Sequence, residues 1–426
     1  MAVFILIRCQ TKPRMKVKDV LLGIKPRMVL TSRGYPTVEV DLVTSNGVYR
    51  SSCPSGASRG SKEAVVITDG GSLYNGRGVR TVINNINSIS GDLLELECSV
   101  DDQSRIDNCL LQLDGTSNKS KIGGNGIIAL STAFCKMGAG CSNRRVDTLV
   151  SGMGNFKRNI PIPHFNVLNG GVHSGNGMSV QEIMVVYQHD SLEKNIESGC
   201  VLYEALRKTI SEKYGSLYTS VGDEGGFAPP IKKLEDGLDL VLEASKRCHR
   251  TDMKIAIDFA ANEFARDDGR YELDGEVYTT RNLGEKYIEM LRKYPQVYSI
   301  EDPFSERDCD GWCWINAEVG DKVNIVGDDL TATNPHLVED AGARRMCNTL
   351  LVKPNQIGTV SETIEAIKIA RKYGMKIMVS HRSGETEDNF ISDLSVGVGA
   401  EYMKSGAPCR GERVSKYNQL LRLSEY

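Results

Sequence analysis

Six short apolar runs in the second half of this chain end on side chains that do chemistry. They are "KIAID" ending on Asp258, "VYSIE" on Glu301, "NIVGD" on Asp328, "TLLVK" on Lys353, "KIMVSH" on His381 and "EYMK" on Lys404. Three carboxylates gathered at one place repel each other unless a counter-charge joins them, and a hard divalent cation with oxygen ligands, best Mg2+, resolves this. The blander reading, that each acid caps the next helix, suits Asp258 or Asp329 alone better than three strand ends together. A lysine beside that metal charge gives up its proton more readily than in water, because burial and like charge both disfavour the ammonium. Lys353 is therefore a candidate general base. Lys404 and Arg382 can stay charged and hold an anionic substrate, and the planar fork of Arg382 suits phosphate.

The elements that must position these residues follow from their spacing. Successive ends lie 43, 27, 25, 28 and 23 residues apart, room in most cases for one strand, one helix and two loops. A doubly wound sheet would collect its ligand at one switch point, whereas here strand after strand ends on a functional group. In a TIM-type barrel all such ends face one mouth. Residues 151–426 are read as that barrel.

Residues 15–150 read differently, with strands first and helices after. "TVEVDLV" (37–43) alternates as a strand, Asn46-Gly47 marks a hairpin turn, and helical periodicity runs through 79–89, 104–113 and 125–139. This predicts a small α+β domain ahead of the barrel. Residues 1–14, with basic residues and no acidic one, read as an N-terminal extension; they faintly resemble a transit peptide, but Ala2–Ile7 is too short an apolar run for a secretory signal.

Composition narrows the function classes. A net charge of -3 provides no basic field for nucleic acid, and no apolar run approaches membrane-spanning length. Twelve scattered cysteines in 426 residues suit reduced thiols and a cytoplasmic protein, and Cys309 and Cys313 lack the second pair that a zinc site needs. Several loops carry more polar chemistry than solvation requires. "VGDEGGFAPP" sets Asp223-Glu224 against glycines, "VLNGGVHSGNG" holds His173, Gln181-Glu182 opens an apolar strand, and "CPSGASRGSKEA" (53–64) is long enough to close over a barrel mouth.

These residues, with "SRGYPTVEVDL", "LDGTSNKSKIG", "SIEDPF", "IVGDDLTATNP", "KPNQIGT", "SHRSGETED" and "KSGAPCRGERVSKYNQLLR", resemble the enolase family from about residue 32 to 422. The resemblance implies an N-terminal α+β lid domain on an eight-stranded α/β barrel of ββαα(βα)6 topology. It also implies Mg2+-dependent, reversible dehydration of 2-phospho-D-glycerate to phosphoenolpyruvate. By the same resemblance Asp258, Glu301 and Asp328 hold one Mg2+, and Ser58 helps bind a second together with substrate phosphate. Lys353 is then the base and Glu224 the acid, supported by Glu182, while His173, Gln181, His381, Arg382, Ser383 and Lys404 hold substrate. A homodimer or larger homo-oligomer is expected on the same ground. Thr31, Tyr35 and Arg59 depart from the family pattern. The competing reading is a catalytically weak relative kept as a binding or structural component.

Overall fold

The computed structural model describes residues 15–56 and 62–426. The 1–14 extension, Ser58 and Arg59 lie outside the described residues.

Three antiparallel strands open the described chain: β1 (Leu21–Leu30), β2 (Pro36–Thr44) and β3 (Gly47–Ser52). The β2–β3 hairpin closes on the Thr44–Gly47 pair, where Gly47 takes a φ of 137° that other residues avoid. Alternation does not announce β1, because Pro26 interrupts it and Leu22, Met28 and Leu30 face outward. Pairing only with β2, it is an edge strand, the place in a sheet where proline is tolerated. Helices Arg80–Leu94, Gln103–Asp114 and Gly124–Cys141 follow where periodicity predicts them, each a little longer. They cover the sheet so that Val38, Val40 and Leu42 share a dry core with Ile86, Leu110 and Phe134.

The rest of the chain forms the expected closed barrel. Its strands are β4 (Ile162–Asn169), β5 (Glu182–Val186), β6 (Lys254–Asp258), β9 (Val297–Glu301), β10 (Asn324–Gly327), β11 (Thr349–Val352), β12 (Lys376–Ser380) and β13 (Tyr402–Lys404). A hairpin of β7 (Tyr271–Leu273) and β8 (Glu276–Tyr278) stands outside it. Strand β5 runs antiparallel to both neighbours, and two helices, Leu192–Tyr214 and Leu234–Arg247, separate it from β6. The ββαα(βα)6 order therefore holds. Alternate strand residues such as Ile255, Ile257, Leu350 and Val352 pack outward against the helices, while Val326, Leu351 and Met378 fill the lumen with Tyr402. Beside them His164 Nε2 meets the Tyr298 hydroxyl at 2.6 Å, so the barrel is a packed core with one functional mouth.

Buried polar contacts lock the two parts together. The carboxylate of Asp107, in helix Gln103–Asp114, accepts the backbone N–H (2.9 Å) and hydroxyl (2.6 Å) of Ser361 at the start of a barrel helix. The loop that leaves β3 is anchored at both ends of its described part. Ser55 exchanges backbone hydrogen bonds of 2.7 and 2.8 Å with Gly384, and the Ala64 N–H donates to the Gln356 carbonyl at 2.7 Å.

Candidate active site

All six strand-end residues stand at the same mouth. Asp258 and Glu301 close β6 and β9 and are register partners; Asp328, Lys353 and His381 each follow the last residue of their strand; Lys404 closes β13. Because β5 is reversed, Glu182 reaches this mouth as the first residue of its strand, paired with Asn169 on one side and Asp258 on the other. Gln181, Glu182, Glu224, His173, Lys353, His381, Arg382, Ser383, Asp328 and Lys404 line one cavity.

Local chain chemistry aims the key side chains. Lys353 is the residue before a one-turn helix whose first position is Pro354, a place where the missing N–H costs nothing, and its own N–H donates to Thr333 Oγ1 at 2.9 Å. Asp302 holds a left-handed φ of 41°, and its carboxylate accepts the N–H groups of Asp328 (2.8 Å) and Asp329 (2.9 Å). A non-glycine residue in that region costs free energy, offset here by two buried hydrogen bonds that fix the Asp328 turn. The Gln356 side-chain amide Nε2 donates a further hydrogen bond to Asp328 Oδ1 at 2.9 Å.

Charge is concentrated far beyond what a passive core would hold. The Lys404 ammonium contacts Glu301 at 2.7 Å and Glu182 and Asp258 at 3.2 Å each. Burial opposes the ammonium, yet Glu182, Glu301 and Asp258 hold its pKa well above the ordinary lysine value. Burial, then the Asp258 charge, push Glu301 well above the usual carboxylate range. The Glu301 Oε2 and Gln181 Oε1 atoms are buried without a hydrogen-bond partner among the described residues. Glu182 and Glu224 behave as one unit: burial and the facing Glu224 charge raise Glu182, while His381 and His173 hold Glu224 low against its burial. Two buried carboxyls this close oppose each other's ionisation, which favours one proton shared by the pair. Asn166 donates to Glu224 Oε2 at 2.9 Å, and the nearest His173 and His381 nitrogens lie 3.5 and 3.4 Å from its oxygens.

Three expectations are modified. Asp258, Glu301 and Asp328 do not point at one spot, because Lys404 lies against the first two and Asp328 makes a short contact with the Lys353 ammonium. Burial lowers the Lys353 pKa, but Asp328 outweighs it and the net direction is upward, opposite to that expected of a base. The cause is the Asp328 carboxylate, which pairs directly with the lysine. The guanidinium of Arg382, expected to receive an anion, is already clamped by Glu63 through contacts of 3.0 and 3.1 Å.

Sequence reading missed Glu63, Asn166, Asp302 and Gln356. Glu63, Asp302 and Gln356 lie inside motifs already singled out and Asn166 directly precedes one, so the available signal was a polar side chain in or beside a segment that carries chemistry. The residues present fit a divalent cation. The acids come from adjacent strands, Glu301 keeps a buried oxygen without a partner among the described residues, and burial, added to by neighbouring carboxylates, raises Glu182 and Glu301 above the usual carboxylate range. Asp302, Asp328 and Asp329 also approach one another, but the Asp302 oxygens already accept backbone N–H groups.

Residues 22–147 match the family model described as "Enolase, N-terminal domain", and residues 157–426 match "Enolase, C-terminal TIM barrel domain". The chain is 46% identical over 421 residues to an enolase of Solanum lycopersicum, covering 95% of this chain and 94% of that protein. It is 41% identical over 415 residues to an enolase of Elusimicrobium minutum (strain Pei191), covering 96% of each.

Proposed function

Because this chain belongs to the enolase family of hydro-lyases, we propose that its barrel mouth interconverts 2-phospho-D-glycerate and phosphoenolpyruvate by the division of labour below. The observation that carries the assignment is that Lys353 and the Glu182–Glu224 pair line one cavity together with Lys404 and Arg382.

Asp258, Glu301 and Asp328 would hold one Mg2+, and Ser58 with the substrate phosphate a second. Bound there, the ions supply positive charge that neutralises these carboxylates and opposes the charge developing on the substrate carboxylate. Once Asp328 is engaged, Lys353 is left in surroundings that favour the neutral amine, since burial and the cations Arg382 and Lys404 all act in that direction. Its Nζ then takes the proton from the carbon beside the carboxylate. The proton stored by Glu182 and Glu224 passes through Glu224 to the departing hydroxyl, and His173 and Asn166 hold that carboxyl in place. Arg382 leaves Glu63 to receive phosphate through its fork, helped by Ser383 and His381, while Gln181 and Lys404 hold the carboxylate end. In the hydration direction Glu224 accepts a proton from water and Lys353 returns one to carbon. Family membership supports a cytoplasmic homodimer or larger ring. No helix among the described residues is long and apolar enough to cross a membrane.

The test is the absorbance of phosphoenolpyruvate formed from 2-phosphoglycerate with and without Mg2+. Folded protein without Mg2+-dependent turnover would overturn the reading and favour a purely binding or structural role. Lys353→Ala should abolish exchange of the substrate C2 proton with solvent, whereas Glu224→Gln should keep exchange and lose dehydration.

A further inference from the structure

The motif "KSGAPCRGERVSKYNQLLR" contributes Lys404 to the site, but the helix that follows carries two more fully buried cations, Arg413 and Lys416, to which no role has been given. Arg413 sits in the first turn of the helix Gly411–Ser424 with no solvent exposure. One of its terminal nitrogens, Nη1, donates to His381 Nδ1 and to the Arg382 carbonyl, the latter at 2.6 Å. The other, Nη2, donates to the Ser383 carbonyl and to the Asp223 carbonyl, the latter at 3.0 Å. Asp223 immediately precedes Glu224, so this single guanidinium ties the loop of the acid to the loop of His381.

A guanidinium has donors only and is not deprotonated in proteins, so it settles a question the imidazole alone leaves open. If Nδ1 accepts from Arg413, the His381 proton must reside on Nε2, and Nε2 is the nitrogen that faces Glu224 Oε2 at 3.4 Å. A second proton at Nδ1 would set N–H against N–H beside a fixed positive charge.

We propose that Arg413 is a positioning residue of the acid half of the reaction, holding His381 as the neutral Nε2–H tautomer aimed at Glu224. The consequence for catalysis is specific. A fixed N–H directed at Glu224 stabilises the carboxylate that remains after its proton has gone to the leaving hydroxyl, which makes Glu224 a better donor. Burial, aided by Arg413 and resisted by Glu224, lowers the His381 pKa to about 4, in keeping with an imidazole that stays neutral throughout the working range. Lys353 stands apart from this arrangement. The proposal rests on Glu224 being the acid.

The test combines a spectroscopic and a kinetic readout. In wild-type protein labelled with 15N-histidine, with the signal assigned by its loss in His381→Asn, His381 should show a protonated Nε2 and a bare Nδ1, without titrating above roughly pH 5. In Arg413→Lys, which keeps a charge but loses the fork, His381 should populate both tautomers and titrate at higher pH. Dehydration in that variant should fall about 10-fold to 100-fold, part of the roughly 100- to 10,000-fold usual for a whole general acid, with its acidic limb moved upward, while C2 exchange changes by less than about 3-fold. A wild-type His381 protonated on Nδ1, or titrating near the ordinary histidine value, overturns the proposal without needing any change at Arg413. So does an Arg413→Lys protein in which exchange and dehydration fall together. Loss of C2 exchange in Glu224→Gln would instead refute the assignment of the acid itself, leaving the tautomer measurement to stand separately.

Discussion

Replacing Lys404 by methionine removes the cation that touches Glu301, Glu182 and Asp258 at 2.7, 3.2 and 3.2 Å. At an effective dielectric near 20 each such contact is worth on the order of 5 kcal/mol before costs. Desolvating the ammonium cancels several kcal/mol, and the carboxyls can relax by taking up protons, so the net loss at neutral pH is about 3–5 kcal/mol. That is a large share of the roughly 5–15 kcal/mol that holds a native protein together. In the wild type the folded-state pKa of Lys404 is raised above its ordinary 10.5. Its contribution is therefore complete below the unfolded value and is lost only as pH rises through the folded one. In the variant the sign reverses. Glu182 and Glu301, already raised, rise further without their counter-ion, so the native state binds protons that the unfolded chain does not. Stability of the variant must then fall as pH climbs above about 4.5. Thermal unfolding in EDTA should show a deficit of roughly 3–6 °C near pH 8, at least halved near pH 5. Adding Mg2+ should recover part of it at the higher pH. An equal deficit at both pH values, or an equal gain from Mg2+ in both proteins, would refute the claim that Lys404 neutralises an otherwise unstable acidic cluster.

Glu63→Gln should leave Arg382 a buried charge with a weakened partner and lower the melting temperature; inorganic phosphate should then raise the melting temperature more in the variant than in the wild type, and equal gains would show that the clamp does not compete with anions. Gly406→Ala places a methyl about 2.5 Å from the Glu224 carbonyl at a φ of 71°, so dehydration should drop while C2 exchange persists, and unchanged dehydration kinetics would show that this backbone contact does not set the acid.

The chemistry of the site was legible in the chain because a barrel strand is short, buried and followed by a turn. "TLLVK" and "VYSIE" each place one polar residue after a run of apolar ones, and only a mouth or a metal can use it. The domain order and the helices of the first part were equally legible from period. Strand β1 was not, since Pro26 and outward-facing Leu22 and Leu30 break any alternation, and only its position at the sheet edge makes that composition workable.

What tertiary structure alone decided was which charges face which. The sequence determined that Lys353, Lys404, Glu182, Glu224 and three further acids are present and end on neighbouring elements. It could not determine that Lys404 would neutralise Glu182, Asp258 and Glu301 while Lys353 pairs with Asp328, or that Arg382 would be held by a glutamate 319 positions away. Residue type sets the charge a side chain can carry, but its proton affinity depends on burial and on partners within a few ångströms, which chain separation does not encode. The same reason hid Arg413: as a letter it is one arginine among many, and only the fold turns its two nitrogens toward His381 and the backbone beside Glu224.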